Sequence, residues 1–315
     1  MGRADGVAHV DALVVGVADG VGAHGGILPD AGWHSGTVTT PPTEQPRITL
    51  ADGTSIPAIG FGVYKVDDAA AEPAVRTALE AGYRLVDTAT LYGNESGVGR
   101  AVRASGLRRD EVHVTTKLWN DAHGRPRARA ALEASVDRLG LGVPDLYLIH
   151  WPCPARDLYT ETWRSLLELR SEGAVRSAGV SNFQRSHLDR VIDDSGEVPV
   201  LNQVELHPYL QQRDLRAYHA ERGIVTQAWS PLGRGDVLRD PTIVEVARRH
   251  AATPAQVVLR WHLDLGVAVI PKSVTPERIR SNLRALDLAL TSDDHERIAA
   301  LDRGRRSGSH PDEVN

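Results

Sequence analysis

Short apolar segments alternate with segments of helical periodicity along most of this chain. The apolar segments lie at or near residues 59–63, 85, 112, 146, 177, 201, 224 and 267. Helices are predicted over 68–81, 96–105, 128–139, 160–171, 185–193, 213–222, within 242–265 and over 276–286. Strands that alternate with helices in this way pair in parallel, so eight such units predict an α/β fold, a (β/α)8 TIM barrel.

A doubly wound open sheet is the alternative fold. It would carry a glycine-rich phosphate loop after its first strand, and no such loop follows residues 59–63. The pattern G-x-G-x-x-G does occur at Gly20, Gly22 and Gly25, but the residues after it include Pro29 and cannot open the helix that would hold a pyrophosphate. We therefore interpret this match as part of a flexible glycine-rich stretch and favour the barrel.

The composition changes near residue 46. Residues 1–46 are dense in Gly, Ala, Val and Asp and end in Thr-Thr-Pro-Pro-Thr-Glu-Gln-Pro, which indicates a flexible N-terminal extension. Residues 47–315 are predicted to form one barrel domain, since barrels of about 250 residues commonly fold as a single unit. An Asp52-Gly53 turn between apolar flanks predicts a two-residue β-hairpin that caps the barrel at its start.

The charge balance limits the classes of partner. A net charge of -5 argues against non-specific attraction to nucleic acid or to an anionic membrane. Cys153 is the only cysteine, and no uncharged apolar segment is long enough to cross a bilayer. The first residues lack the basic-then-apolar pattern of a signal peptide. We expect a soluble cytoplasmic protein.

Four residues able to act on a proton follow the early strands of the predicted barrel. Asp87 and Tyr92 come after the strand at 85, Lys117 ends the strand at 112, and His150 ends the strand at 146. The carboxyl ends of barrel strands are where these enzymes carry out their chemistry. The four side chains are therefore expected to meet at one mouth of the barrel.

This set resembles the catalytic tetrad of the aldo-keto reductase family, closest to its bacterial 2,5-diketo-D-gluconate reductase-like branch. The resemblance runs from about Arg47 to the carboxyl terminus and implies reduction of a carbonyl by hydride transfer. Tyr92 is then the proton donor, and the Lys117 ammonium is expected to stabilise its phenolate. Asp87 would hold Lys117 charged, while His150 would donate to the substrate oxygen.

Each of these residues alone has a plainer interpretation. Tyr92 could be a packing residue near a turn, Asp87 a helix cap and His150 a hydrogen-bonded core histidine. Lys117 is different, because a lysine that ends an apolar strand is poorly explained as a solvated surface charge. Four such residues in order at strand ends favour the catalytic interpretation.

The later strands carry the cofactor residues that the resemblance implies. Ser181, Asn182 and Gln203 would bond the nicotinamide carboxamide, and Trp229 would stack on the ring. The pyrophosphate would pass along a further group: Ser230, Leu232 and Gly233.

The segment after the last strand favours NADPH over NADH, because two cations near a helix start suit a phosphate monoester. Lys272 and Arg278 supply the charge. The full set assigned to the cofactor there is Lys272, Ser273, Val274, Thr275, Arg278 and Asn282. Two departures from the family pattern, Ser281 beside Asn282 and a short loop at 233–239, predict a weaker adenine contact and faster cofactor exchange.

Aromatic side chains after three strands predict the substrate pocket. Tyr64, Trp119 and Trp151 would surround His150, and the short charged tail at 302–315 would leave the pocket open to small polar aldehydes and ketones, including keto-sugar acids and 2-oxoaldehydes. Cys153 has no set of partner ligands, so no metal site is expected. We expect a monomer. Two alternatives stay open: a cofactor-binding regulatory module of the same fold, and an NAD-linked alcohol dehydrogenase.

Overall fold

A computed structural model describes residues 45–315 of the chain. The predicted extension, apart from its last two residues, and the glycine match at Gly20 to Gly25 lie outside the described residues. Gln45 and Pro46, which the sequence prediction places in the extension, bond to the barrel: Gln45 Nε2 donates to the Gly82 carbonyl at 2.9 Å, and the Pro46 carbonyl accepts from Ala58 N at 2.8 Å.

Two short antiparallel strands open the described chain: β1 (Arg47–Thr49) and β2 (Ser55–Pro57). The turn between them holds three residues, not the predicted two, since Leu50 pairs with Thr54 and the Leu50 carbonyl accepts from Gly53 N at 3.0 Å. The Asp52 carboxylate accepts from Thr54 N, and Gly53 has φ +83°, so the turn residues themselves favour this longer form. Leu50 and Ile56 pack with strand residues of the barrel, and the hairpin covers one end of it.

Eight parallel strands follow in chain order: β3 (Phe61–Gly62), β4 (Leu85–Asp87), β5 (His113–Leu118), β6 (Leu146–Ile149), β7 (Ser177–Ser181), β8 (Leu201–Glu205), β9 (Val225–Trp229) and β10 (Ala268–Val269). The last strand meets the first. Gly60 N donates to the Val269 carbonyl at 2.7 Å, and Val269 N donates to the Ala58 carbonyl at 2.9 Å. These bonds close the sheet, so the predicted (β/α)8 barrel is confirmed and the open sheet is wrong.

Ten helices of the described chain surround the strands: α1 (Asp68–Ala81), α2 (Glu95–Ala104), α3 (Arg125–Leu139), α4 (Tyr159–Ser171), α5 (Arg185–Ser195), α6 (Arg213–Arg222), α7 (Pro241–Arg249), α8 (Pro254–Asp264), α9 (Pro276–Leu283) and α10 (Ser292–Ala299). Local signals set their ends. For α1, the Asp67 carboxylate accepts from Ala70 N at 2.8 Å, and Gly82 ends the helix with φ 109°. The sequence prediction missed α10, which begins with a capping box of Thr291 and Asp294.

The hydrophobic core lies between the strands and the helices. Trp163 of α4 and Trp261 of α8 are its largest fully buried side chains. None of the described helices combines the length and the apolar character that crossing a membrane requires. The packed layer leaves the carboxyl ends of the strands free to present polar side chains at one mouth.

Candidate active site

A buried ion pair lies at the carboxyl ends of β4 and β5. Lys117 Nζ is 2.5 Å from Asp87 Oδ1 and donates to the Thr88 carbonyl at 2.8 Å. The Lys117 side chain is fully buried and that of Asp87 is 2% exposed. Burial lowers the pKa of Lys117, and the charge of Asp87 opposes that shift. The sequence expectation that Lys117 is not a surface lysine agrees with this placement.

The second oxygen of Asp87 joins this pair to the opposite side of the barrel. Gln203 Nε2, from β8, donates to Asp87 Oδ2 at 2.7 Å and to Gln227 Oε1 at 2.7 Å. The Gln203 amide nitrogen is therefore engaged beneath the mouth. A polar chain from Lys117 to Gln227 crosses the interior of the barrel.

Tyr92 stands at the end of a short 3-10 turn, Thr90–Tyr92, that follows β4. Its side chain is partly buried, and the Lys117 ammonium lies 5.2 Å from the centre of its ring. Burial, followed by the charges of Asp87 and Tyr64, raises the pKa of Tyr92 well above its ordinary value. This net direction is opposite to the lowering expected from Lys117 alone, because the effect of burial dominates. The phenol is therefore protonated at neutral pH and stays so to higher pH than an ordinary tyrosine.

His150 is buried at the end of β6 and faces the same space. Burial and the nearby Lys117 ammonium lower its pKa well below the usual value, so the imidazole is neutral. Its Nδ1 has no hydrogen-bond partner among the described residues. That nitrogen is itself buried. The neutral ring carries one N–H, which can donate to a substrate oxygen.

The predicted aromatic walls gather around His150 and Tyr92. The Tyr64 ring centre is 5.1 Å from that of Tyr92, and Tyr92 is 5.7 Å from His150. Trp119 lies 5.1 Å and Trp151 6.5 Å from the His150 ring. Tyr64 is 45% exposed, which places it at the entrance. All five side chains therefore border one open mouth.

The side chains predicted to hold the nicotinamide form a connected group beside His150. Asn182, in a left-handed conformation with φ 64°, donates from Nδ2 to the His150 carbonyl at 2.9 Å. Its Oδ1 accepts from Trp229 Nε1 at 2.8 Å. Ser181 Oγ donates to the Gln203 carbonyl at 2.8 Å. These bonds fix the Trp229 ring next to the mouth, where a flat ligand ring can stack on it.

The residues predicted to follow the pyrophosphate leave β9 in a tight turn. Ser230 has φ 47° and Gly233 has φ 53°, and Gly233 N donates to the Ser230 carbonyl at 2.8 Å. Leu232 between them is partly buried. The turn is continued by 3-10 segments over Gly233–Arg239.

The predicted phosphate residues surround the start of α9. Lys272, Val274 and Arg278 are exposed, and across the described chain neither cation takes part in an ion pair. Ser273 Oγ accepts from Thr275 N at 3.1 Å, and Thr275 precedes the first residue of α9. These groups are available to an anion at the helix amino end.

The α9 residues on the predicted adenine side, Ser281 and Asn282, are less available to a ligand than the exposed cations at the helix start. Asn282 is buried with 6% exposure, whereas Ser281 accepts from Gln256 Nε2 through both its carbonyl, at 2.9 Å, and its hydroxyl, at 3.2 Å. The Ser281 side chain is thus already engaged by α8.

Most of the described chain is similar to known proteins. The family described as "Aldo/keto reductase family" matches residues 58–303. The chain belongs to this aldo/keto reductase family. An aldo-keto reductase of Mycolicibacterium smegmatis is 50% identical over 271 residues, which cover 86% of this chain and 98% of that protein. The methylglyoxal reductase DkgA of Salmonella typhimurium is 49% identical over 268 residues, covering 84% and 97%.

Solved structures are similar along the same part of the chain. The apo structure of Gox0644 has a TM-score of 0.83 and 47% identity, and the match covers 86% of this chain and 99% of that one. A mutant of Gox0644 has been solved in complex with NADPH, with a TM-score of 0.83 and 46% identity. This aldo/keto reductase is accordingly an oxidoreductase that shares both sequence and fold with these proteins.

Two residues of this aldo/keto reductase site escaped the sequence reasoning. Asn94 is fully buried and donates to the Val63 and Val66 carbonyls at 2.9 and 2.7 Å, which ties the loop that carries Tyr64 to the loop that carries Tyr92. Gln227 Oε1 accepts from Gln203 Nε2 at 2.7 Å and so helps to fix the orientation of the Gln203 amide. A signal existed for each: Asn94 lies two residues after Tyr92, and Gln227 interrupts an apolar strand.

Proposed function

We propose that this aldo/keto reductase uses NADPH to reduce small polar aldehydes and ketones to alcohols, with Tyr92 as the general acid. The observation that carries the proposal is the buried Lys117–Asp87 pair directly beside Tyr92, at a mouth that also holds His150. NADPH supplies the hydride to the carbonyl carbon. Tyr92 supplies the proton to the carbonyl oxygen, so the product is the alcohol and the phenol becomes a phenolate.

The residues of this site support each step of the proton transfer. Tyr92 carries its proton at neutral pH, as an ordinary phenol does, and its raised pKa extends this to higher pH. His150 bonds the substrate oxygen from the other side and directs it toward the phenol. Once the proton has left, the Lys117 ammonium near the ring stabilises the phenolate, and Asp87 keeps that ammonium aimed.

The residues at the other end of the mouth fit NADPH. Ser181, Asn182 and Trp229 border the position of a nicotinamide, with Trp229 held in place by Asn182. Lys272 and Arg278 are exposed, unpaired cations of the described chain at the start of α9, where a 2′-phosphate would find both charge and helix amide groups. The solved NADPH complex of Gox0644 supports this choice of cofactor.

The substrate class follows from the walls and from the relatives. Tyr64, Trp119 and Trp151 form flat apolar sides around a polar centre, which suits a compact carbonyl compound. One relative is named methylglyoxal reductase, which supports 2-oxoaldehydes as substrates of this enzyme. Keto-sugar acids belong to the same polar class. We further propose that the enzyme is a cytoplasmic monomer. Its net charge of -5 also disfavours non-specific binding to nucleic acid or to an anionic membrane.

Initial rates of cofactor oxidation test the proposal. Purified protein is assayed with methylglyoxal or phenylglyoxal and with NADPH or NADH. Tyr92→Phe should bind NADPH as the wild type does and lose turnover by about 10²- to 10⁴-fold, because it removes the proton donor. Tyr147→Phe is the matched control, since Tyr147 is a fully buried tyrosine of β6 whose hydroxyl has no partner in the described chain; its turnover should be unchanged.

Other outcomes would change either the role of Tyr92 or the proposed function. Near wild-type turnover in Tyr92→Phe would remove Tyr92 from the acid role. Tight NADPH binding without turnover on any carbonyl would favour a cofactor-binding regulatory module. A preference for NADH together with alcohol oxidation would favour an NAD-linked alcohol dehydrogenase.

A further inference from the structure

Glu205 holds the carboxyl-terminal segment against the barrel mouth. It ends β8, is fully buried, and pairs in register with Trp229 of β9. Its Oε1 accepts from Ser307 N at 2.6 Å and from Ser307 Oγ at 2.5 Å, and its Oε2 accepts from Gly308 N at 3.1 Å. His207 Nε2 approaches Oε1 at 3.1 Å. Most of the bonds to this carboxylate thus come from residues about a hundred positions later.

The charge of Glu205 makes this anchor strong. Burial by itself would raise the pKa of Glu205, but the hydrogen bonds from His207, Ser307 and Gly308 outweigh it and lower the pKa to about 2. Arg306 Nη1 lies 3.9 Å from Oε2. Hydrogen bonds to an ionised acceptor are about twice as strong as neutral ones, and a buried carboxylate without them is costly. The segment and the carboxylate therefore stabilise each other.

The anchored segment touches the edge of Trp229. A Cβ built on Gly308 would lie 2.5 Å from Trp229 Cη2 and 3.3 Å from Cζ3, so only glycine fits there without a shift. The opposite edge of the ring donates through Nε1 to Asn182 Oδ1 at 2.8 Å. The ring is thus held at both edges, by Asn182 on one side and by the carboxyl-terminal segment on the other.

We propose that Glu205 is a positioning residue for the cofactor: it anchors Ser307 and Gly308 so that they brace Trp229 in the orientation that receives the nicotinamide. This inference rests on the proposed function, in which Trp229 is the nicotinamide platform. Coupling of this kind is reciprocal, so a bound nicotinamide also stabilises the docked segment. Glu205 itself touches neither cofactor nor substrate in this arrangement.

Ligand binding by Glu205→Gln tests the inference, because this variant keeps the size of the side chain and removes its charge. The dissociation constant for NADPH should rise about three- to ten-fold, the range expected for loss of one aromatic stacking contact. The affinity for 2′,5′-ADP should stay at the wild-type value, since this probe carries the adenine and the 2′-phosphate and no nicotinamide. Asp312→Asn is the control: it removes an exposed carboxylate of the same segment, 3.5 Å from His187, and both affinities should be unchanged.

Limited trypsin digestion reports on the anchor independently. The bond after Arg306 leads into the anchored residues, and the Arg306 side chain is only 17% exposed. Release of residues 307–315, followed by mass spectrometry, should be about ten-fold faster in Glu205→Gln, in line with the loss of charge-assisted hydrogen bonds. NADPH should slow this cleavage in the wild type. Gly308→Ala forces the segment away from Trp229 and leaves Glu205 intact, so it should reproduce the selective loss of NADPH affinity. This variant tests the inference if Glu205→Gln fails to fold.

Three results would overturn the inference. One is equal NADPH affinity in wild type, Glu205→Gln and Gly308→Ala. Another is an equal loss of affinity for NADPH and 2′,5′-ADP, which would show a general disturbance of the fold. The third is a wild-type protein that binds NADPH no more tightly than 2′,5′-ADP, which would refute the Trp229 platform. Normal binding with no turnover would refute the proposed reaction alone and leave the positioning role of Glu205 supported.

Discussion

Replacing Asp87 by Asn probes the buried pair most directly. The change keeps the shape of the side chain but removes the negative charge that faces Lys117 at 2.5 Å. Both side chains are buried, so water cannot take the place of the lost partner. The amide oxygen of Asn can still accept from Gln203, so the substitution removes the ion pair and keeps the hydrogen bond to Gln203.

The magnitude follows from the cost of a buried charge without a partner. Removing one member of a buried ion pair typically costs about 3–5 kcal/mol. Burial already lowers the pKa of Lys117, and without Asp87 that pKa falls further, so Lys117 can lose its proton and avoid part of the cost. We expect a loss of about 3 kcal/mol in the free energy of unfolding, which for a domain of this size lowers the Tm by about 6–12 °C.

Thermal unfolding and cofactor oxidation are measured on the same samples. Asp87→Asn should lower both the Tm and the turnover. Adding Lys117→Met removes the unpaired cation, so the double variant should regain most of the Tm and stay inactive. The control is Asp110→Asn, which breaks an exposed pair with Arg108 and should change neither quantity.

One result would refute this reasoning: an unchanged Tm in Asp87→Asn with full turnover. It would mean that Lys117 needs no partner in the folded protein. A double variant less stable than Asp87→Asn would also contradict it, because the second change removes the charge that is supposed to cause the loss.

Two further predictions concern the fold. In Gly99→Ala a Cβ would lie 1.8 Å from the Leu139 carbonyl oxygen, so α2 and α3 would have to move apart. The free energy of unfolding, measured by chemical denaturation, should fall by about 3 kcal/mol, and wild-type stability would contradict this. Burial lowers the pKa of His113, His219 and His262 to about 4, so the unfolded chain binds more protons between about pH 6.5 and 4. The stability that these neutral histidines contribute is therefore fully present above about pH 6.5 and is lost as the pH falls from about 6.5 to 4. A Tm that stays constant from about pH 7.5 to 5 would refute this prediction.

The helix ends show which structural features the local sequence can predict. Asp67 and Gly82 mark the ends of α1 in the sequence as they do in the structure, because caps and left-handed glycines act within a few residues. α10 was missed although Thr291 and Asp294 carry the same kind of signal. The hairpin turn at Asp52 was assigned one residue too few, since Asp-Gly suits more than one turn length and the pairing of the flanking strands decides.

The sequence by itself determined the order of strands and helices and the set of candidate catalytic residues at strand ends, because periodicity and position along a repeating fold are local properties. Only the tertiary structure decided how those residues interact. Pairing of neighbouring strands brought Lys117 to Asp87 and Gln203 to Gln227, and closure of the barrel brought Gln203 to Asp87. Burial raised the pKa of Tyr92 where charge pairing alone predicted a fall. The contact of Glu205 with Ser307 has no local signature, since it depends on where a distant segment returns to the barrel.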